Sequence, residues 1–455
     1  MTNSIVILAA GQGKRMYSNL PKVLHPLAGK PMLERVIETC LSLKMDNIFS
    51  IIGCKATEIK KTLGKYPVTW IEQKEQLGTG HAVLQALPAI PEHHRVLILY
   101  GDVPLISQST LESFMAETPI NALGIITAEL PDPTGFGRII RNPSHNIIKI
   151  IEEKEATPKQ KCIQEINSGI YFVSAAFLNQ TLPTLTNQNT QQEYYLTDII
   201  EKAVKQKLEI TSFQPTHYQE ILGINDHIQQ AALERFYQEQ QAIKYLQQGA
   251  TLADPMRFDV RGNLKIGKDV YIDINTIFEG DVTIGDHCVI GPNTFLRNVF
   301  LDNYIEIKAN SYIENATIES HAIIGPFARI RGETHIANHA EIGNFIEIKN
   351  SSIGAYSKVH HVGYIGDSEL GSTVNIGAGT ITCNYDGAHK HKTLIGNDVF
   401  IGSNTELVAP VTIGEGATIG AGSTITRDVP PNQLAISRIK QSIIPNWQRK
   451  KKKET

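Results

Sequence analysis

Ile413-Gly-Glu-Gly-Ala-Thr and Ile419-Gly-Ala-Gly-Ser-Thr are consecutive copies of a six-residue unit that recurs from about Ile266 to Ile425. Each copy has an aliphatic residue, then glycine or an acidic residue, and a small residue near its end. Further copies begin at positions 266, 284, 324, 342 and 376. Such hexapeptide repeats predict a parallel β-helix, in which three units form one coil with three flat walls. The number of copies in step disfavours the alternative, a globular domain with scattered Ile-Gly pairs.

Stacking of the coils is the expected source of stability in this half of the chain. Each aliphatic residue should point into the prism and pack on its counterpart one coil away, where burial contributes roughly 1.5 to 3 kcal/mol. A single coil has no such neighbour, so it is not stable alone.

The amino-terminal half begins with an apolar strand that runs into a glycine turn. Ile5-Val-Ile-Leu-Ala-Ala is followed directly by Gly11-Gln-Gly-Lys-Arg-Met. Glycines let the backbone approach an anion closely, and successive N–H groups in such a turn form a nest that Lys14 and Arg15 can reinforce. The third glycine of the dinucleotide-binding pattern is missing. On these residues alone, phosphate binding and a plain structural turn stay equally open.

Apolar strands alternate with amphipathic helices along the first domain. Strands are predicted at residues 5–10, 48–52 and 96–100, and helices at about 32–43 and 57–63. This alternation predicts a Rossmann-like α/β domain with a doubly wound parallel sheet. Ligands of such sheets bind beyond the carboxyl ends of the strands, where the glycine turn and Gly101-Asp102 fall.

The chain is expected to have three segments. An α/β domain spans residues 1–227, a linker helix spans 228–248, and the β-helix domain with a basic tail spans 249–455. The helical pattern from Asp226 to Gln248 is started by Asn225 or Asp226 and stopped by Gly249. The tail, Arg449 followed by four lysines, is expected to be solvated, with phosphate binding as the lesser alternative.

Composition excludes several classes of protein. The 455 residues, 41% of them hydrophobic, suffice for two or three domains with real cores. A formal net charge of −3 disfavours a general nucleic-acid binder. The five cysteines are scattered and include no Cys-x-x-Cys pair, which disfavours a disulfide framework or zinc site and favours a cytoplasmic location. No apolar stretch approaches the ~18 residues of a membrane span, and no signal sequence is expected.

Asp102 is a candidate metal ligand. It follows the apolar run Val96-Leu-Ile-Leu-Tyr and lies in the turn Gly101-Asp-Val-Pro, so its carboxylate should emerge at the ligand edge of the sheet. Mg²⁺ needs only one or two protein oxygens besides water and substrate phosphate, so Asp102 with a distant amide such as Asn225 would suffice. A helix-capping role for Asp102 is an equal alternative at this point.

Eight segments carry a family resemblance. They are Leu8-Ala-Ala-Gly-Gln-Gly-Lys-Arg-Met, Leu20-Pro-Lys-Val-Leu-His, Gln76-Leu-Gly-Thr-Gly-His, Tyr100-Gly-Asp-Val-Pro-Leu-Ile, Asp132-Pro-Thr-Gly-Phe-Gly-Arg, Gln164-Glu-Ile-Asn-Ser-Gly, Glu193-Tyr-Tyr-Leu-Thr-Asp and Gly223-Ile-Asn-Asp. In this order they resemble the sugar-nucleotide pyrophosphorylases. Over nearly its whole length the chain resembles the bacterial bifunctional N-acetylglucosamine-1-phosphate uridyltransferase/glucosamine-1-phosphate N-acetyltransferases. Lys14 is a departure, because that family usually has a small hydroxyl residue there.

The resemblance implies a uridylyl transfer in the first domain. The phosphate of N-acetylglucosamine 1-phosphate would attack the α-phosphorus of UTP, which forms UDP-N-acetylglucosamine and releases pyrophosphate. No covalent enzyme intermediate is needed, because the nucleophile is already anionic and the protein has only to align it and neutralise the leaving group. Arg15 and Lys22 would serve that catalytic task, and Asp102 and Asn225 would bind Mg²⁺.

The residues that would bind the nucleotide and UDP-N-acetylglucosamine follow from the same motifs. Gln73, Gly78 and Thr79 would face the uracil. Gly137, Glu152 and Asn167 would hold the amino sugar. The remaining members of the implied set are Leu8, Ala9, Ala10, Gly11, Lys22, Tyr100, Gly101, Asp102 and Asn225.

Two basic residues of the β-helix should lie on one wall. Hexads begin at positions 330, 336, 342 and 348 without interruption, which places Arg331 and Lys349 one coil apart. Parallel strands lie about 4.8 Å apart, and two unit charges at ~5 Å repel by roughly 3 kcal/mol at a surface-like dielectric. Glu333 or Glu347 could remove that cost within the chain, and so could a bound anion. The resemblance implies that Arg331 and Lys349 hold the phosphate of glucosamine 1-phosphate.

His361 is the candidate base for acetyl transfer. It follows the inward Val359 by two positions, so it should lie outside the prism. An exposed histidine is usually just solvated, but histidine can take a proton from an amine near neutral pH. The neighbouring His360 is the competing candidate, and the motif favours His361. The resemblance adds Tyr364 and Asn375 as contacts of the sugar.

The repeat breaks at Cys383-Asn-Tyr-Asp-Gly-Ala-His-Lys-His-Lys and resumes at Ile395, so a loop should project from the prism. The resemblance implies that this loop reaches an adjoining subunit of a homotrimer and that the β-helix is left-handed. It also implies an acetyl-CoA site. The residues of that site would be Ala378, Asn384, Tyr385, Ser403, Ala421 and Arg438.

Together with the resemblance, these observations predict a cytoplasmic enzyme with two sites and no nucleic-acid partner or membrane insertion. It would N-acetylate glucosamine 1-phosphate with acetyl-CoA and then uridylylate the product with UTP and Mg²⁺. The resulting UDP-N-acetylglucosamine would be used in cell-envelope synthesis. One alternative is a sugar-1-phosphate nucleotidyltransferase whose β-helix is only regulatory or oligomerising. Another is a β-helix that serves as a scaffold without chemistry. Arg331, Lys349 and His361 favour the two-site enzyme.

Overall fold

The computed structural model describes residues 2–53 and 55–449. These residues form two units, one up to Tyr237 and the other from Gln238 onward. The predicted long helix is present as His227–Gln247. Asp226 begins it, because its side chain accepts a hydrogen bond from the Gln229 backbone N–H at 2.9 Å. Gly249, with φ +96°, follows its end. The lysines of the predicted basic tail lie outside the described residues.

The first unit is an α/β structure. Its strands are β1 (Asn3–Ala9), β2 (Pro26–Leu27), β3 (Lys30–Pro31), β4 (Asn47–Ile52), β5 (Thr69–Glu72), β6 (Arg95–Tyr100), β7 (Ala122–Glu129), β8 (Arg138–Arg141), β9 (Ile147–Ile151), β10 (Glu165–Ser174) and β11 (Glu209–Phe213). Its helices are α1 (Met32–Ser42), α2 (Ala56–Leu63), α3 (Thr79–Ala86), α4 (Gln108–Glu117), α5 (Pro158–Lys161), α6 (Ala175–Thr181), α7 (Ile199–Lys205) and α8 (His227–Gln247). The strands and helices predicted up to residue 100 are therefore confirmed within a few residues at each end.

The main sheet has the strand order β11-β7-β10-β6-β1-β4-β5. Strands β6, β1, β4 and β5 are parallel, as the alternation predicts. The sheet as a whole is mixed, because β10 runs antiparallel to both β6 and β7. Between β7 and β10 the chain forms the β8–β9 hairpin and only the one-turn helix α5. It lacks the longer crossover that a parallel connection requires.

Burial on both faces explains the apolar runs of the parallel strands. Ile5, Val6 and Ile7 are consecutive in β1, and all three are fully buried. Side chains alternate between the faces of a sheet, so an uninterrupted apolar run means that both faces are covered. Leu8 of β1 is the register partner of Tyr100 in β6, so the turns that follow these strands lie side by side.

The second unit is a parallel β-helix. Its strands are β12 (Thr251–Leu252), β13 (Phe258–Ile266), β14 (Tyr271–Ile272), β15 (Thr276–Ile284), β16 (Val289–Ile290), β17 (Phe295–Leu301), β18 (Glu306–Ile307), β19 (Tyr312–Ile318), β20 (Ile323–Ile324), β21 (Arg329–Arg331), β22 (Thr334–Ile336), β23 (Glu341–Lys349), β24 (Ser352–Ile353), β25 (Lys358–Gly366), β26 (Ser368–Leu370), β27 (Asn375–Ile376), β28 (Ile381–Cys383), β29 (Thr393–Ile395), β30 (Phe400–Ile401), β31 (Glu406–Val408), β32 (Val411–Ile413), β33 (Thr418–Ile419), β34 (Thr424–Ile425) and β35 (Leu434–Ala435). All pair in parallel with strands of the next coil.

The hexad register is confirmed by burial and by strand pairing. Ile330, Ile336, Ile342 and Ile348 are each at most 1% exposed. Ile324 pairs with Ile342 one coil on, which is a step of three hexads. At the predicted loop the number of residues between paired positions increases, because Leu370 pairs with Ile395 and the loop lies between them. None of the helices in the described ranges is long and apolar enough to span a bilayer.

Two candidate active sites

A cavity of about 560 Å³ opens at the carboxyl ends of β1 and β6. Most of the residues implied for uridylyl transfer line it. They are Leu8, Ala9, Ala10, Gly11, Arg15, Lys22, Gln73, Gly78, Thr79, Tyr100, Asp102 and Asn225. Four implied residues are outside its lining, namely Gly101, Gly137, Glu152 and Asn167. Gly101 lies behind it and donates its N–H to the Leu8 carbonyl oxygen at 2.9 Å.

The glycine turn places two cations at this cavity. Gly13 has φ +63°, and a Cβ there would lie 2.6 Å from Cβ of Lys22, so a side chain at this position would displace the lysine. Lys14 and Arg15 are exposed and line the cavity. Neither forms an ion pair within residues 2–53 and 55–449, so both are available to an anionic ligand.

Lys22, Asp102 and Asn225 meet inside the cavity. The Lys22 ammonium donates to Oδ2 of Asp102, and it also donates to Oδ1 of Asn225 at 3.1 Å. The side chains of Lys22 and Asp102 are 11% and 15% exposed. A carboxylate oxygen and an amide oxygen thus converge on one cationic group in a largely desolvated place. These are the oxygen donors that Mg²⁺ accepts, so the residues fit a magnesium site.

The residues implied for the amino sugar form a second cluster in the same unit. Glu152 lines a neighbouring cavity of about 380 Å³ together with Tyr195 and Asp198. Burial raises the pKa of Glu152, and the nearby negative charge of Asp198 contributes. A Cβ on Gly137 would lie only 3.0 Å from Cγ2 of Ile150 and 3.6 Å from both carboxylate oxygens of Glu152, so Gly137 lies close beside that carboxylate.

Asn167 and Tyr100 connect this cluster to the rest of the site. The Asn167 N–H donates to the Gly137 carbonyl oxygen at 2.9 Å. Burial raises the pKa of the Tyr100 hydroxyl, and the charges of Glu152 and Asp102 add to the effect. Tyr100 therefore lies within electrostatic range of both the sugar cluster and the candidate metal ligands.

In the β-helix, Arg331 and Lys349 are direct register partners on β21 and β23, as the hexads predict. Nε of Arg331 donates to Glu347 Oε1 at 2.7 Å, and Nζ of Lys349 donates to Asp367 Oδ2 at 3.3 Å. Of the two carboxylates considered for Arg331, Glu347 is the partner, because it stands two positions before Lys349 on the same face of the strand. An intramolecular anion and a bound phosphate are compatible here, since each cation keeps further N–H groups.

Asp367 organises the surroundings of Lys349. It is 7% exposed and accepts hydrogen bonds from Asn350, at 2.7 Å, and from Asn384. Although burial alone would raise the pKa of Asp367, these hydrogen bonds and Lys349 hold it below its usual value. Tyr364 joins the cluster, since Asn384 Nδ2 lies 3.4 Å from its hydroxyl.

His361 lies at the corner that follows the wall of Val359, beside a cavity of about 400 Å³. Its Nδ1 is 3.1 Å from Oδ1 of Asn344, its register partner in β23. Because an amide oxygen only accepts, this contact favours the tautomer of the neutral imidazole that has its proton on Nδ1 and its lone pair on Nε2. His360 has a different role, since its Nε2 is 2.9 Å from Glu341 Oε2. Asn375 is the register partner of Lys358 on the wall of Val359, whereas Lys349 pairs with Arg331 and Gly366 on another wall.

The residues implied for acetyl-CoA stand further along the β-helix. Ile376, Ile401 and Ile419 are successive register partners, and Ala378, Ser403 and Ala421 each follow two positions later. They therefore stack as a column of small residues. Arg438 donates to the Ala421 carbonyl oxygen at the end of this column. Asn384 is 8% exposed at the base of the loop, and Tyr385 is 61% exposed on it.

Comparison with known proteins adds the family. Residues 5–136 match the MobA-like NTP transferase domain, and residues 263–298 and 392–427 match the bacterial transferase hexapeptide (six repeats). The bifunctional protein GlmU of Marinobacter nauticus is 52% identical over 98% of this chain and 99% of its own. The GlmU of Acinetobacter baylyi is 53% identical, and that of Cupriavidus pinatubonensis 48%, over 99% of each pair of chains.

The chain belongs to the bifunctional GlmU family. It is accordingly a transferase with uridyltransferase and glucosamine-1-phosphate N-acetyltransferase activities, which together make UDP-N-acetylglucosamine. The α/β unit and the hexapeptide β-helix are the two parts expected of such an enzyme.

Several residues at the two sites were missed in the sequence. Val23, Gln76, Ala82 and Glu193 also line the first cavity, besides Gln12, Gly13 and Lys14 of the predicted glycine turn. Gln76 and Glu193 open two of the quoted motif segments, which was an available signal. Lys390 is a missed third cation of the second site, and contact with Lys349 lowers the pKa of Lys390. Its position in the projecting loop gave no indication that it would fold back onto Lys349.

Proposed function

We propose that the first cavity is the uridylyl-transfer site and that the wall and corner bearing Arg331, Lys349 and His361 form the acetyl-transfer site. The corresponding segments are residues 1–227 and 249–455, joined by the helix at 228–248. The observation that most supports this assignment is the presence of a distinct cluster of cations in each unit, each beside the groups that its chemistry requires. Both substrates are sugar phosphates, so both sites need cations.

In uridylyl transfer, the chain's own groups hold the triphosphate and the sugar phosphate in line. Backbone N–H groups of the glycine turn, with Lys14 and Arg15, neutralise the charge that develops on the leaving pyrophosphate. Mg²⁺ bound by Asp102 and Asn225 would supply further charge neutralisation at the phosphate oxygens. Lys22, released from Asp102 and Asn225, would turn its ammonium toward the phosphates. Gln73 would face the uracil.

In acetyl transfer, Arg331, Lys349 and Lys390 hold the phosphate of glucosamine 1-phosphate. The amine nitrogen of the sugar attacks the thioester carbonyl carbon of acetyl-CoA, and Nε2 of His361 takes a proton from that amine. The C–S bond then breaks, the N-acetyl amide forms, and the CoA sulfur receives a proton. Ala378, Ser403 and Ala421 offer a column of small residues along which the extended cofactor would lie.

We infer further that the enzyme is a homotrimer and acts in the cytoplasm. Exposed Tyr385 on a loop that leaves the prism is suited to contact an adjoining subunit. UTP and acetyl-CoA are cytoplasmic metabolites, which supports the location. Sedimentation of the purified chain tests the trimer.

Lys349→Met is expected to raise the KM for glucosamine 1-phosphate in CoA release by about 10–100-fold. A charge-assisted hydrogen bond to phosphate is worth about 1.5–3 kcal/mol, and its loss falls on binding. Release of pyrophosphate from added N-acetylglucosamine 1-phosphate should not change. Lys265→Met, at an exposed position of β13, is the matched control. An unchanged KM in Lys349→Met would contradict the assignment of the phosphate site.

Asn344→Asp is expected to move the acid limb of the acetyl-transfer pH–rate profile to higher pH. A carboxylate at Nδ1 favours the protonated imidazole, so His361 acts as a base only after it has lost that proton at higher pH. Rates measured from pH 5 to 9 check this, and Asn344→Ala should lower the rate without the same shift. Identical limbs in the wild type and Asn344→Asp would show that His361 is not the titrating base.

A further inference from the structure

Asp367 is the one acidic residue in a column of residues at one corner of the β-helix. Each member of this column follows, by two positions, one of the buried residues that pair from coil to coil. The members are Asn298, Asn315, Gly332, Asn350, Asp367 and Asn384. Nδ2 of Asn298 donates to Oδ1 of Asn315 at 3.1 Å, so one neutral amide of the column donates to the next. Asp367 instead accepts from the amides on both sides, from Asn350 at 2.7 Å and from Asn384.

The carboxylate of Asp367 fixes the orientation of the Asn384 amide. A carboxylate has no hydrogen to donate, so Asn384 presents Nδ2 to it and directs Oδ1 away from it. The same carboxylate oxygen, Oδ2, accepts from Nζ of Lys349 at 3.3 Å. The side chains of Lys349 and Asp367 are 16% and 8% exposed, and charges so far removed from water are costly unless they are paired and hydrogen-bonded. One oxygen atom therefore joins a cation of the proposed phosphate site to an amide of the proposed acetyl-CoA site.

The backbone of Asp367 connects the same two segments a second time. Its N–H donates to the Lys349 carbonyl oxygen at 2.9 Å, and its carbonyl oxygen accepts from the Thr393 N–H at 3.3 Å. Thr393 begins β29, where the chain returns from the projecting loop, whereas Asn384 lies where that loop departs. The loop between them carries Lys390, whose ammonium contacts that of Lys349. Asp367 is therefore bonded to both ends of the loop and to the lysine against which the loop folds.

We propose that Asp367 is a positioning residue for acetyl transfer, which holds the phosphate-binding cations and the acetyl-CoA loop in one arrangement. This inference rests on the proposed acetyl-transfer site. The negative charge of Asp367 offsets the repulsion between the ammonium groups of Lys349 and Lys390, so both can point at one phosphate. Its bond to Asn384 orders the base of the loop. Each substrate then meets a site that the same residue has already ordered, and loss of the carboxylate weakens the binding of both.

Asp367→Asn tests the proposal when CoA release is measured with the full-length chain. Asparagine keeps the size of the side chain, but it removes the carboxylate from Lys349 and can continue the column of amides only if Asn384 turns its oxygen inward. We expect the KM for glucosamine 1-phosphate and the KM for acetyl-CoA each to rise by at least about fivefold. Pyrophosphate release from added N-acetylglucosamine 1-phosphate should not change.

Two further variants separate the halves of this effect. Lys349→Met should raise mainly the KM for glucosamine 1-phosphate, and Asn384→Ala should raise mainly the KM for acetyl-CoA. Because Asp367 acts on the sugar phosphate through Lys349, the double variant Asp367→Asn/Lys349→Met should have nearly the same KM for glucosamine 1-phosphate as Lys349→Met alone. Multiplication of the two single effects in the double variant would contradict a positioning role.

Asn315→Ala is the matched control for a merely structural role, because Asn315 stands at the same corner in an earlier coil. It should lower the temperature of thermal denaturation and leave both KM values within about twofold of the wild type. If Asp367→Asn behaved in this way, with a lower denaturation temperature and both KM values retained, the proposal would be overturned. An unchanged KM for glucosamine 1-phosphate in Lys349→Met would instead remove the proposed phosphate site, and the inference with it, so the two failures are distinguishable.

Discussion

His361→Ala is expected to lower the rate of CoA release by about 10²–10⁴-fold, the usual contribution of a positioned general base. In the structure the lone pair of Nε2 is directed by the contact of Nδ1 with Asn344 at 3.1 Å. Alanine removes the proton acceptor, and in the described part of the chain no other titratable side chain forms a hydrogen bond with Asn344. The measurement is thiol release from acetyl-CoA with glucosamine 1-phosphate as the acceptor.

The neighbouring histidine provides a matched control for this prediction. His360 is adjacent in sequence but engaged with Glu341, so His360→Ala should retain acetyl transfer within about tenfold. Pyrophosphate release from added N-acetylglucosamine 1-phosphate should be unaffected in both variants. If His361→Ala combined with Lys349→Ala still transferred acetyl groups, the β-helix would instead be a regulatory or oligomerising module.

The β-helix could be predicted from the sequence because its period is local. One aliphatic residue per hexad points inward on every wall, so spacing alone identified Ile330, Ile342 and Ile348 as core. Outer positions follow the same coil period, but no single residue type marks them. Five rings at one corner, 17 or 18 positions apart, stack with centroid separations of 4.7 to 4.9 Å, and this column was not predicted although its spacing is present in the sequence. The five residues are His287, Tyr304, His321, His339 and Tyr356.

The candidate sites were predictable only in part, because their contacts join distant positions. The motif segments identified the residues that line the first cavity, and the hexads aligned Arg331 with Lys349. The pairing of Lys22 with Asp102 spans 80 positions, and no local pattern encodes it. The antiparallel orientation of β10 was missed for the same reason. The alternation of strands and helices does not determine whether a strand that follows a hairpin pairs in parallel or antiparallel with its neighbours.

Asp102→Ala is expected to lower the rate of uridylyl transfer by about a thousandfold, since charge stabilisation by a bound metal is worth several kcal/mol. The carboxylate is one of two oxygen donors that converge on the Lys22 ammonium. Its loss also leaves Lys22 without its anionic partner at 11% exposure, so unfolding should become easier by about 1–3 kcal/mol. Pyrophosphate release measures the first effect, and thermal denaturation measures the second.

Asp102→Asn removes the negative charge of the side chain but keeps an oxygen atom at nearly the same position. Uridylyl transfer should therefore partly recover at higher Mg²⁺ concentration in Asp102→Asn, whereas Asp102→Ala should stay inactive at every Mg²⁺ concentration tested. CoA release should remain near the wild-type rate in both variants, because the acetyl-transfer residues belong to the other unit. Simultaneous loss of both activities in well-folded Asp102→Ala would contradict independent sites. Equal Mg²⁺ dependence in Asp102→Asn and the wild type would remove Asp102 from the metal site and leave it as the partner of Lys22 alone.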